Sequence, residues 1–93
     1  MYNKSKIVFD AEKDKLNQNK HGGLSLADAA KLEWENAVYI QDHRHDYGEN
    51  RVIALAYLGN RLLVVVFVDR GAERRVISLR KANYREVNRY AKT

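Results

Sequence analysis

The 93-residue chain contains neither cysteine nor proline. Without cysteine no disulfide can staple the fold, and no thiolate can hold zinc or an iron–sulfur cluster. Long apolar runs are also missing. The longest, residues 62–68, is seven residues, against about 20 for a membrane-spanning helix. The opening MYNKSK is followed by only Ile7, Val8 and Phe9 before Asp10, too little for the apolar centre of a signal peptide. A cytoplasmic location with no membrane partner is expected. Phosphate-cradling glycine loops, nucleophile elbows and zinc-finger spacings are absent too, so nucleoside-triphosphate and hydride-transfer chemistry find no support.

What is present suffices for one folded domain spanning residues 1–93. Apolar residues make up 45% of the chain and nine residues are aromatic, well above the composition of a disordered tail. The charge is unevenly spread. Residues 1–50 carry a net −2 and residues 51–93 a net +7. Eight of the ten cations in the second half are arginines: Arg51, Arg61, Arg70, Arg74, Arg75, Arg80, Arg85 and Arg89. A planar guanidinium fork matches phosphate better than the point charge of lysine, so a polyanion, with RNA or DNA foremost, is the expected partner.

The pattern along the chain predicts an α+β fold in the order β-α-α-β-β-β-β-α, with a mostly antiparallel sheet, two N-terminal helices and a C-terminal helix. A short strand over residues 6–9 leads to Asp10, a good N-cap, and to a polar, weakly packing helix ending at His21-Gly22-Gly23. Ser25 with Asp28 reads as a capping box opening a second helix over residues 26–35, with Leu26, Ala29, Ala30 and Trp34 on its inner face. Residues 38–40 form a strand, and the polar stretch 41–50 a loop. Strands over 51–58 and 61–69 are joined by Gly59-Asn60, a two-residue hairpin link. Both are apolar at nearly every position, so both faces of the sheet want cover. A strand over 73–79 follows. The last helix, 80–91, has Tyr84, Val87 and Tyr90 or Ala91 at helical spacing; Tyr84 and Tyr90 could stack on bases, and the spacing favours a core place for Tyr84.

His21 is a candidate proton-transfer group beside Lys20, or a C-terminal residue that offsets the helix dipole. His43, His45 and Asp46 give a weak metal-ligand pattern, and no metal or other cofactor is expected. Arginines with a titrating side chain suit metal-free RNA cleavage. In that reaction a base takes the 2′-hydroxyl proton, cations stabilise the phosphorane and an acid protonates the leaving 5′-oxygen. A basic module that binds nucleic acid or an acidic protein without cutting is the alternative.

Several short elements recur in a specific order: Phe9-Asp10 with Lys13, Asn19-Lys20-His21-Gly22, residues 25–29, Gly48-Glu49-Asn50-Arg51, residues 61–66, and residues 75–82 ahead of Glu86 and Tyr90. Over residues 7–91 this set resembles the BrnT family of bacterial toxins. The resemblance implies a RelE/ParE-like ribonuclease of a type II toxin–antitoxin system that cleaves RNA and arrests growth. It also implies a BrnA-type ribbon-helix-helix antitoxin, a heterotetramer with it, and operator DNA bound only through that complex. The arginine cluster and these motifs together lead us to expect His21 or Glu49 as general base and Arg51, Arg75 and Arg80 on the phosphate. Lys20, Lys81, Arg85 and Tyr90 become further RNA contacts. Two positions depart from the family pattern: Gly23 lengthens the turn after His21, and Leu79 stands where a small residue is common before the arginine.

Overall fold

The computed structural model describes residues 5–41 and 50–93. The chain folds as an α+β protein around one five-stranded mixed sheet of order β1-β5-β4-β3-β2. Its strands are β1 (Lys6–Val8), β2 (Val38–Gln41), β3 (Val52–Leu58), β4 (Arg61–Arg70) and β5 (Glu73–Lys81). Helix α1 (Ala11–Lys20) follows β1, and α2 (Tyr84–Ala91) closes the described chain. Consecutive pairs β2/β3, β3/β4 and β4/β5 are antiparallel, and the edge pair β1/β5 is parallel. The β3–β4 hairpin turns at Gly59, whose φ of 62° places the positive angle at the first central residue, as in a type II′ turn.

Two expectations are corrected between α1 and β2. The second helix is two short 3-10 segments, Leu26–Lys31 and Trp34–Asn36. In a 3-10 turn residues three apart eclipse. Leu26, Ala29 and Leu32 have that spacing and are all buried, while Ala30 is exposed. The Ser25–Asp28 capping box is present, and Trp34 Nε1 donates to the Ala29 carbonyl at 2.9 Å. Asp14 ties this turn to α1. Its carboxylate accepts from the Leu26 N–H at 2.8 Å and the Ser25 hydroxyl at 3.1 Å, and the Leu26 bond leads in holding its pKa below the usual value.

The core is split by the sheet. On one face Ala54, Ala56, Leu63, Val65, Phe67, Val76 and Leu79 pack with Leu24, Leu26, Ala29, Leu32 and Trp34. On the other, Leu55, Leu62 and Val64 meet Ala82 and Tyr90. Cover on both faces is thus realised, with α2 on the second. That helix is shorter than the sequence pattern suggests, because β5 continues to Lys81 and Asn83 supplies the cap. Tyr84 is 79% exposed and Val87 42%, so Tyr84 is not a core residue. The apolar spacing makes α2 amphipathic, but the helix rests on the sheet along its Tyr90 edge.

Helix α1 packs through a polar residue. It continues the line of β1 along the edge of β5, and Asn17 reaches the strand where β1 has ended. Asn17 Nδ2 donates to the Leu79 carbonyl at 2.8 Å and the Leu24 carbonyl at 2.9 Å, and its Oδ1 accepts from the Leu79 N–H at 3.1 Å. The side-chain amide therefore pairs with the strand edge as a neighbouring peptide would. Among the described residues, Asn17 and Arg74 are the buried polar ones.

Candidate functional site

The face on which each arginine of β5 lies is decided by one irregularity. In an unbroken strand residues 75 and 80 would point to opposite faces. Opposite β5, Val66 pairs with Ser78 and Phe67 with Val76, so Ile77 is an extra residue at a β-bulge. The bulge resets the alternation. Arg75 pairs with Val68 and Arg80 with Val64; Val64 lies on the α2 face of β4, and Val68, four residues along the same strand, shares that face by alternation. Arg75 and Arg80 consequently share that face.

They do not share one end of it. Five strand residues separate them by roughly 13–16 Å. Arg75 lies near the start of α1, where a cleft of about 80 Å³ is lined by Asp10, Lys13, Arg75, Val76 and Ile77. Arg51 immediately precedes Val52, which pairs with Phe67, so Arg51 enters the sheet at the end occupied by the Val68–Arg75 pair. At the opposite end α1 finishes with Lys20, and its C-cap is His21. The Asn17–Leu79 clamp sets that helix end beside Arg80, the next residue of β5. The sequence-predicted site residues thus fall into two groups, Arg51 with Arg75 and Lys20 with His21 and Arg80, while Lys81 lies at the same strand end but on the opposite face, opposite Leu63.

His21 is held by its backbone. Its N–H donates to the Asn17 carbonyl at 2.8 Å, and the Gly23 N–H closes back to the Gln18 carbonyl at 2.7 Å, the long-range bond of a Schellman cap. Gly22 and Gly23 have φ of 63° and 86°, a left-handed pair that suits glycine. The additional Gly23 therefore completes the cap. Burial first, then the charges of Lys20 and Arg80, lower the His21 pKa from its ordinary value. The lowered pKa favours the neutral imidazole, whose free nitrogen can accept a proton, as a general base requires.

Arg80 forms a bidentate ion pair with Glu86 of α2: Nη1 to Oε1 and Nη2 to Oε2 are both 2.8 Å. Lys81 and Arg85 are exposed nearby in sequence. Tyr90, expected to contact RNA, is already engaged. Its hydroxyl donates to the Asn36 carbonyl at 2.9 Å, and its ring meets Tyr57 edge-on at 5.3 Å. Glu49 lies outside the described residues, as do His43, His45 and Asp46. No group of three or more metal-ligating side chains occurs among the described residues.

One arginine of the cluster belongs elsewhere. Arg74 faces the main core, where its guanidinium lies 4.2 Å from the Phe67 ring centroid and 4.6 Å from that of Trp34. It is paired with Asp69 through Nε at 2.7 Å and Nη2 at 2.9 Å. The sequence signal was its neighbour: adjacent residues in a strand face opposite ways, so Arg74 and Arg75 could not both belong to one surface.

Fold and site describe a small basic α+β protein with lysine, arginine and imidazole gathered at the end of one strand. Residues 9–86 match the family described as ribonuclease toxin, BrnT, of type II toxin–antitoxin systems, and the chain belongs to that family. Membership brings an antitoxin partner with it. No curated protein matches the chain. No helix among the described residues is long and apolar enough to cross a membrane.

Proposed function

We propose that the protein is a metal-independent endoribonuclease of RelE/ParE-like fold that cleaves RNA, inhibits translation and growth, and is neutralised by a BrnA-type ribbon-helix-helix antitoxin. The toxin–antitoxin complex represses their shared operon. The observation that carries this reading is the placement of His21, the C-cap of α1, beside Arg80 by the Asn17–Leu79 clamp. His21 takes the 2′-hydroxyl proton as the 2′-oxygen attacks phosphorus, with Glu49 as the alternative base. Arg80 stabilises the charge that builds on the phosphorane oxygens, and the 5′-oxygen departs with a proton taken from water, leaving a 2′,3′-cyclic phosphate and a protonated His21. Arg51 and Arg75 hold a neighbouring phosphate at the far end of the strand, and Lys20, Lys81 and Arg85 attract the RNA backbone.

Purified protein is expected to cut RNA in the presence of a chelator, and Arg80→Ala and His21→Ala to lose that cleavage while remaining folded. Salt-sensitive binding with no scission by the wild type would leave only a binding module. The pH dependence has a definite sign. Protonation of His21 removes the base, so kcat/KM should rise with pH through a midpoint below 6.5. An acid limb centred at 6.5 or higher, or one that persists in His21→Ala, would remove His21 from the role.

A further inference from the structure

The arginine assigned to the phosphate already holds a carboxylate. Fork-on-fork pairing through Nη1 and Nη2 is the geometry an arginine offers a phosphate, and Glu86 occupies it at 2.8 Å on both arms. Nη1 also donates to the Lys81 carbonyl at 3.2 Å. Neither partner is sealed in: the Arg80 side chain is 38% exposed and that of Glu86 23%. Arg80 leads in holding the Glu86 carboxyl below its ordinary pKa, burial opposes it, and the Asn83 N–H assists. The carboxylate is therefore ionised at neutral pH.

We infer that Glu86 is a built-in competitor for the phosphate, occupying the fork of Arg80 in the unbound protein and yielding it to RNA. The inference rests on the assignment of Arg80 to phosphate binding. Displacement needs no unfolding of α2. Glu86 Oε1 also accepts from the Asn83 N–H at 2.8 Å, and Asn83 Oδ1 accepts from the Glu86 N–H at 2.9 Å. This capping box is independent of Arg80, so the guanidinium can rotate away while the helix start stays capped. The exchange of one anion for another makes occupation of this subsite weaker than a bare arginine would give, and an isolated phosphate is a poor competitor. A polyanion anchored by the other cations gains the local concentration to displace the carboxylate.

The test is binding of a single-stranded 2′-O-methyl oligonucleotide, which cannot be cut, by the full chain. Glu86→Gln keeps a capping side chain and removes the charge. It is expected to bind about three- to tenfold more tightly than wild type, the range for a well-formed, partly exposed ion pair. Glu12→Gln removes the same charge from the exposed first turn of α1 and is expected to change binding less than twofold. Glu86→Asp keeps the charge but is too short for the bidentate contact; it should also bind more tightly, and it serves if Glu86→Gln fails to fold. In the Arg80→Ala background the gain should vanish. Equal or weaker binding by both Glu86 variants overturns the inference, as does a gain that survives Arg80→Ala. If Arg80→Ala alone binds and cleaves as wild type, the assignment of Arg80 falls and the inference with it. If Arg80→Ala is impaired but Glu86 is silent, only the inference is lost.

Discussion

Replacing Asn17 by alanine is expected to destabilise the protein by about 3–5 kcal/mol, a substantial part of the usual 5–15 kcal/mol total stability of a domain. The side chain is 6% exposed and makes three hydrogen bonds, all to backbone groups. Its removal strands the Leu79 N–H, the Leu79 carbonyl and the Leu24 carbonyl, each costing about 1–3 kcal/mol when buried without a partner. Partial entry of water into the space keeps the sum below the full total. Asn17→Asp should be no milder, because it keeps the acceptor but replaces two donated hydrogens by negative charge facing carbonyl oxygens. Urea unfolding measures both; an alanine variant within about 1 kcal/mol of wild type would refute the strand-edge role. A second consequence separates this clamp from ordinary packing. Because Asn17 sets the end of α1 against Leu79, whatever Asn17→Ala protein stays folded should lose cleavage as His21 drifts from Arg80.

Arg74→Ala is the second large effect, expected at about 3 kcal/mol of stability with cleavage per folded molecule unchanged. The guanidinium lies in the corner formed by the perpendicular rings of Phe67 and Trp34, and each such contact contributes about 0.5–2 kcal/mol. Alanine adds a cavity to that loss and leaves Asp69 without this partner; at 47% exposure Asp69 is rehydrated at little cost. Arg74→Met restores volume without charge and should recover about half of the deficit, since an apolar replacement of an ion pair is tolerated better than its truncation. Thermal unfolding with parallel single-turnover cleavage separates the outcomes. Equal stability of Arg74→Ala and wild type, or a cleavage defect in the folded fraction, would return Arg74 to the RNA-facing group.

The contrast between Arg74 and Arg80 shows how an arginine-rich strand divides its labour. One guanidinium is consumed by the core. The other is closed by Glu86, next to the His21 imidazole. Charge counting treats them alike. Burial and register do not.

Much of the frame follows from short-range chemistry and was legible in the residues. The apolar runs of β3 and β4, the Gly59-Asn60 hairpin, the Asp10 cap, the Ser25–Asp28 box and the glycine stop after His21 each act within a few positions, so the sequence by itself determined them. It also determined the family, through an ordered set of motifs that residues 9–86 match. Tertiary structure alone decided which faces those elements present. The bulge at Ile77 exists only in the pairing of β5 with β4, yet it puts Arg75 and Arg80 on one side. The 3-10 form of residues 26–31 depends on what Leu26, Ala29 and Leu32 pack against, and the exposure of Tyr84 on where α2 lands. Asn17 looks like any polar helix residue until its partner, 62 positions away, is in place. Local sequence sets backbone preference and cap chemistry. Register and burial arise from contacts between distant segments, and these determine which cations remain at the site.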